Sequence, residues 1–341
     1  MSGSRTIAWD VSTEALPDAF ERYLVGMADL YDVSEISDHD RTHFYNASRT
    51  TLCDMGAIGR GRSVLQTLAR TTAVLRRSDV DGLNIIINQL PMVGDCDGRD
   101  VRAAAGAVQL RDLGRLSASR LEVHVDTILI PRTIAPPALL ASDMHGLVLP
   151  PGSPQARLIA VHMRGLQDVA GDLSDQNVNA GVQALIVILS SITDAKLPIG
   201  TAELVALQST VRLAAGDFIE KQLALLNGDI DIGAIATAAG VSRATLYRSF
   251  DGEGGVSRFV QDRRLHHARS ALRRRTGRTP TISDIADRYG FASPTHFSRL
   301  FRGRFGYSPA EVEPLKTTAN VAMATGTIRH DLLTDWLKTF K

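Results

Sequence analysis

Fourteen arginines and no lysine fall between Ile230 and Val312. A guanidinium is a planar fork of donors. It pairs bidentately with phosphate oxygens or with guanine O6 and N7, so such a run suits contact with nucleic acid. Seven acids share the window, which therefore carries +7; the whole chain of 341 residues carries +1, leaving −6 elsewhere. A basic module beside a mildly acidic one is the footprint of a nucleic-acid binder with a separate regulatory part. A solvated arginine-rich helix face would give the same charge.

Other chemistry is thinly represented. Cupin-type metal sites take two His spaced by one residue, an acid and a later His. His124-Val-Asp126 is the only approach to that pattern, and it lacks the second His. His39, His43, His145 and His162 are scattered, and there is no P-loop, nucleophile elbow or Gly-x-Gly-x-x-Gly. Cys53 and Cys96 have no patterned His partner and read as buried free thiols. The expectation is a non-enzyme without cofactor or metal. The alternatives are a metal-dependent cupin-type enzyme fused to a DNA-binding module, and a regulator that needs no ligand.

Within the arginine field, one pattern occurs twice. The first copy spans 232–250 and the second 282–301. Both contain Ile-Ala (Ile235-Ala236, Ile285-Ala286), then Gly240 or Gly290, an apolar Leu246 or Phe297, Arg248 or Arg299, and Phe250 or Phe301. Small Ala236 and Ala286 allow two helices to approach. Gly240 and Gly290 supply a left-handed turn just past a helix end. Ser242 and Ser293 then cap the next helix. One face of that helix buries Leu246 and Phe250, or Phe297 and Phe301. The other presents Arg243, Ala244, Tyr247 and Arg248, or Thr295, Ser298 and Arg299. This is a helix-turn-helix, whose second helix enters a major groove. Val256 to Arg275 reads as a long helix able to set the two copies about one turn of B-DNA apart, ~34 Å. After the second copy, Gly306 ends the helix, and Ser308, Pro309 and Glu311 read as cap, first-turn proline and capping-box partner.

These residues carry a resemblance. The stretch Ile285-Ala-Asp-Arg-Tyr-Gly-Phe-Ala-Ser-Pro-Thr-His-Phe-Ser-Arg-Leu-Phe-Arg-Gly-Arg-Phe-Gly-Tyr-Ser-Pro, with Gly255-Val-Ser-Arg-Phe-Val-Gln-Asp-Arg-Arg-Leu-His-His-Ala-Arg before it, resembles the DNA-binding domain of the arabinose-regulator (AraC/XylS) family of bacterial transcription factors. More loosely, residues 40–195 are similar to that family's regulatory half, through Ala105-Gly-Ala-Val-Gln-Leu-Arg-Asp-Leu and Ile128-Leu-Ile-Pro-Arg132. The resemblance implies a cupin-like β-barrel with a helical dimerisation segment, then an all-α domain with two helix-turn-helix units. It implies a sequence-specific regulator, an activator more often than a repressor, acting as a homodimer on double-stranded DNA beside RNA polymerase. A small-molecule effector would act at the N-terminal domain. Carried over by position, Ala244, Tyr247, Arg248, Thr295, Ser298 and Arg299 become groove residues. Arg248 and Arg299 are the guanine readers, unless they pair internally with Asp251 or Asp287. Arg243, Arg302 and Arg304 become phosphate contacts, and His296 a helix-surface or phosphate contact. Ala244 departs from the family, which often has a larger side chain there.

The elements that must position these groups can be read along the chain. Residues 40–150 look mostly β, with Leu83–Ile87 and Leu121–Ile130 as strands between glycine turns, which suggests a sandwich or jelly roll. Arg49, Asn84, Asn88 and Gln89 lie on or near strands and face either an effector or solvent. Ala15–Met27, Ser153–Leu173 and Asn179–Asp194 read as helices. In the last of these, Val182, Leu185, Ile186 and Leu189 form a stripe for a core or a dimer seam. The domains follow: 1–195 regulatory, 196–201 linker, 202–316 DNA-binding, and a tail, 317–341, with Leu332, Leu333, Trp336, Leu337 and Phe340 on one face. With 44% hydrophobic and 22% charged residues the composition is globular. The N-terminus lacks the apolar core of a signal peptide and no apolar run reaches a membrane span, so the expectation is a soluble cytoplasmic protein.

Overall fold

The computed structural model describes residues 5–78, 80–141, 143–190, 201–225, 230–251, 254–273 and 280–312. Two compact units divide between Ala202 and Glu203.

The first unit is built on ten antiparallel strands: β1 (Arg5–Ser12), β2 (Asp32–Ser34), β3 (Tyr45–Cys53), β4 (Gly56–Arg70), β5 (Gly82–Asn88), β6 (Met92–Cys96), β7 (Arg99–Ala103), β8 (Val108–Asp112), β9 (Ser117–Pro131) and β10 (Val148–Leu149). Their main path is β1-β3-β4-β9-β5-β8-β10; β2 adds to β4, and the β6–β7 pair adds to β9. The cupin-like expectation holds as an antiparallel sheet, but the barrel is not closed. The end strands β1 and β10 do not pair, and β10 has only two residues to offer.

Side chains alternate across a strand, so one parity faces the sheet's concave side. Asn84, Ile86 and Asn88 of β5 face it, as do Gln109 and Arg111 of β8 with Leu113 beyond, and every odd residue of β9 from Ser117 to Leu129. In β4 the parity switches: Gly59 and Gly61 line the concavity, then Leu68 does. A register shift between Arg62 and Leu65 against β9 is the cause, since one extra residue exchanges the faces. The cavity on this face measures about 220 Å³.

Helix α1 (Ala19–Met27) buries Ala19, Phe20 and Tyr23. It starts later than the sequence suggests, because Pro17 is followed by Asp18 as N-cap. Two short helices follow, α2 (Asp38–Thr42) and α3 (Thr72–Arg77). Then come α4 (Pro154–Val169), capped by Ser153, and α5 (Asp175–Ser190). The stripe Val182, Leu185, Ile186 and Leu189 is fully buried within one chain, so it serves the core. Near its start, Asn179 Oδ1 accepts the amide of Met55 at 3.1 Å, fastening α5 to the turn between β3 and β4. Cys53 and Cys96 are buried free thiols. Burial pushes the Cys53 thiol up to about 12, which makes it a poor nucleophile.

The second unit is helical: α6 (Thr201–Ala224), α7 (Ile232–Ala238), α8 (Arg243–Ser249), α9 (Val256–Arg273), α10 (Ile282–Arg288) and α11 (Pro294–Phe305), then a 3-10 turn, Pro309–Glu311. No described helix is long and apolar enough to cross a membrane. Of the expected linker 196–201, residues 196–200 lie outside the described residues and Thr201 already begins α6; the tail from 317 also lies outside them.

Candidate nucleic-acid interface

Local chemistry builds each helix-turn-helix. Asp231 caps α7 by accepting the amide of Ala234 at 2.8 Å. Thr281 and Asp284 cap α10 reciprocally, at 3.1 and 2.7 Å. Gly240 and Gly290 then take φ +68° and +71°, where a Cβ would be strained. The next residue folds back: Val241 N donates to Ala236 O at 3.0 Å, and Phe291 N to Ala286 O at 2.9 Å. Ser242 accepts from Thr245 N and Ser293 from His296 N, each at 3.1 Å, starting α8 and α11. The turns are the same to within 0.1 Å in these bonds. Gly306, at φ +78°, ends α11.

One core holds both units. Ile235, Ala236, Leu246 and Phe250 of the first, and Ile285, Ala286, Phe297 and Phe301 of the second, join Phe259, Leu265, Ala268 and Leu272 of α9 in a single apolar cluster. Phe301 contacts the rings of Phe297, Phe305 and Tyr307 at 5.5, 4.6 and 5.7 Å. Each fully buried ring of this kind contributes about 1.5–3 kcal/mol. With 18 residues, α9 is about 27 Å long at ~1.5 Å per residue. It also steadies the second turn directly, since Arg264 donates to Gly290 O at 3.4 Å.

The outward faces follow from the buried ones. On α8, Arg243, Ala244, Tyr247 and Arg248 are exposed, Tyr247 by 47% although aromatic. On α11, Thr295, Arg299 and Arg302 are exposed, Ser298 is partly so and His296 is half-buried. Among the described residues, Arg248 and Arg299 pair with no carboxylate. Arg248 reaches Thr245 Oγ1 at 3.3 Å, and neither Asp251 nor Asp287 engages them. Arg243 lies 3.9 Å from Asp231, with both side chains well exposed.

The arginines themselves divide. Arg243, Arg248, Arg258, Arg288, Arg299 and Arg302 are exposed. Arg263, Arg269 and Arg273 are buried at 4% exposure each. Arg263 binds Glu220 of α6 through Nε at 2.6 Å, and Arg269 lies over the Phe305 ring at 4.9 Å. Arg274, Arg275 and Arg278 lie outside the described residues. Arg304 differs from the sequence expectation of a phosphate contact. It sits on the same side of α11 as Phe297 and Phe301, binds Asp262 of α9, and approaches His266 Nε2 at 3.0 Å. Burial would raise the Asp262 carboxyl, but the charges of Arg304 and His266 and their hydrogen bonds outweigh it. They hold the group well below the usual carboxylate range. Arg258 and Arg288, which sequence reasoning did not single out, are exposed cations of the same unit. No helix-turn-helix pattern distinguishes them from the buried arginines.

In the first unit, Asn84 and Asn88 face the cavity, whereas Arg49 lines a separate surface cleft and Gln89 binds Asp126 at 2.6 Å. Among the described residues no group of three or more His, Cys, Asp or Glu is placed to hold a metal ion.

Paired helix-turn-helix units on a shared core, each with a capped and exposed second helix, define a DNA-binding domain. Residues 235–313 match the family described as "Helix-turn-helix domain". Among curated proteins, the chain is 33% identical over 133 residues to the transcriptional activator NphR of Rhodococcus sp, covering 39% of this chain and 38% of that one. It is 34% identical over 102 residues to the transcriptional activator RhrA of Rhizobium meliloti, covering 30% and 32%. It is also 35% identical over 86 residues to the activator RhaS of Escherichia coli, covering 25% and 30%. The chain thus spans about a third of the length of the curated relatives it matches. Among solved structures, the AraC-like transcriptional activator CuxR shares the fold over 77% of this chain and 95% of that one, at 20% identity and TM-score 0.50. Residues 235–313 of the C-terminal unit thus form a helix-turn-helix domain similar to those of transcriptional activators.

Proposed function

We propose that the chain is a sequence-specific DNA-binding transcriptional regulator, an activator, whose N-terminal unit receives an effector and whose C-terminal unit reads an operator. One observation carries this reading: two similarly built helix-turn-helix units share one core and present from exposed helix faces Arg248 and Arg299, which pair with no carboxylate among the described residues. A rigid pair of recognition helices suits two successive major-groove segments on one face of the duplex. Arg248 and Arg299 read guanine; Tyr247, Ala244, Thr295 and Ser298 contact neighbouring bases; Arg243 and Arg302 neutralise phosphates.

The effector acts by linkage. A ligand that prefers one arrangement of the N-terminal unit shifts how the DNA-binding unit is presented. The functional form is a cytoplasmic homodimer that meets RNA polymerase at the promoter, and no catalysis is proposed. Apolar Leu158, Val161 and Val169 on the outside of α4, 55%, 72% and 45% exposed, support dimerisation through that helix. Mapping of chromosomal sites bound by the native protein, followed by binding assays on those sites and scrambled versions, tests the reading. Equal affinity for both would refute it.

A further inference from the structure

The concave face of the N-terminal sheet holds a buried cation that no carboxylate pairs among the described residues. Arg111 is 3% exposed and lines the cavity. The pleat of β8 puts it there, with Gln109 before it and Leu113 after it on the same face. Its guanidinium donates to Gln109 Oε1 at 2.7 Å and to Cys96 Sγ. Among the described residues no carboxylate forms an ion pair with it. Tyr31 and Asp95 are the acidic groups whose charge reaches it at longer range, and Asp95 Oδ1 accepts the Gly98 amide at 2.9 Å. Arg132 in the same unit shows the ordinary solution, since Asp81 and Asp112 both bind it. Burial pushes Arg111 down to about 10, a large displacement for a guanidinium. A buried charge whose hydrogen-bond partners are neutral is costly, and a ligand of opposite charge would offset that cost.

The rest of the cavity says what else that ligand carries. Leu121, Val123 and Val125 form an apolar wall, and Asn84 and Asn88 add amides. One cation balances one negative charge, and an apolar wall suits a hydrocarbon body rather than a heavily hydrated polyanion. We propose that Arg111 anchors an effector site for a small organic monoanion, a carboxylate on an apolar body. This rests on the reading of the N-terminal unit as the effector-binding half.

The test uses the full chain and its Arg111→Gln variant, which loses the charge but keeps an amide donor for Gln109. The probes are benzoate, phenylacetate and octanoate, each beside its neutral amide, with thermal unfolding as the readout. At least one acid should raise the native melting temperature by several degrees, its amide should not, and R111Q should lose the response. Without any probe, R111Q should melt no lower than the native chain. Amides that match their acids, acids that all fail, or an R111Q response that persists would overturn the proposal. So would an R111Q chain that melts several degrees lower without probe, because that is the mark of a structural arginine. Operator binding measured on the same native preparation separates the failures. If DNA is bound specifically while the acids fail, the ligand class is wrong and the regulator reading stands.

Discussion

Arg302 and Arg304 lie two residues apart on α11 and should behave as opposites. Arg302 has 69% of its side chain exposed and only a 4.0 Å approach to Glu311, whereas Arg304 has 28% exposed and binds Asp262. If the four exposed arginines not assigned to guanine, Arg243, Arg258, Arg288 and Arg302, all meet phosphates, log affinity should fall with log salt at a slope of about −3.6, or roughly a hundredfold between about 50 and 200 mM. Replacing Arg302 by Ala should lower that slope by about 0.9 and move stability by less than about 0.5 kcal/mol. Replacing Arg304 by Ala should leave the slope in place. It strands the Asp262 carboxylate beside one His, at a cost of about 1–3 kcal/mol, where each kcal/mol is roughly 4–8 °C for a domain of this size.

The pH dependence adds a second check. The folded Asp262 carboxyl titrates below its unfolded value, so its stabilisation is complete above about pH 4 and is lost as pH falls through the folded value. The gap between native and R304A should therefore be widest above about pH 4 and narrow below it. Fluorescence anisotropy on a labelled operator at five salt concentrations, with calorimetric melts at pH 7 and 3, measures both. An R304A chain of native stability with a slope reduced by one would refute the inward placement of Arg304.

Three further outcomes are expected. Arg299→Ala should relax discrimination at a single base pair by about 1–3 kcal/mol, read from affinities for an operator and its single-base variants; equal losses on specific and scrambled DNA would remove its reading role. Gly290→Ala, at φ +71°, should cost about 1–2 kcal/mol in denaturant melts. Ser293→Ala removes the cap of α11 and should cost about 1 kcal/mol, with the loss confined to the C-terminal unit's transition.

The helix-turn-helix units were legible because their signals are local. Gly240 with Ser242, and Gly290 with Ser293, act on amides and carbonyls within four or five residues, so the order of residue types is nearly the whole cause. The strands at Leu83–Ile87 and Leu121–Ile130 were legible for the same reason, as dense β-branched runs. β1 was missed although Ile7, Trp9 and Val11 alternate with Thr6, Ala8, Asp10 and Ser12, a half-buried strand pattern; it pairs with β3 about 40 residues away. The candidate readers Arg248 and Arg299 could be placed on an outer face from the spacing of Leu246, Phe250, Phe297 and Phe301. Whether they were spent on internal acids could not.

Taken alone, the order of residues determined that this protein has a basic helical module with two capped helix-turn-helix units and a strand-rich part before it. Tertiary structure decided how the charges are used. Arg304 faces inward because Asp262 lies beside it from another helix, 42 residues away. Arg263 is neutralised by Glu220 from 43 residues away, outside the basic window altogether. Arg111 sits among buried neighbours on both faces of β8, so no alternation marked it. Only the packing of the sheet showed that the face of β8 carrying Gln109, Arg111 and Leu113 is the one that lines a cavity. A guanidinium's role depends on what lies within a few ångströms, and that distance is set by packing between elements far apart in the chain.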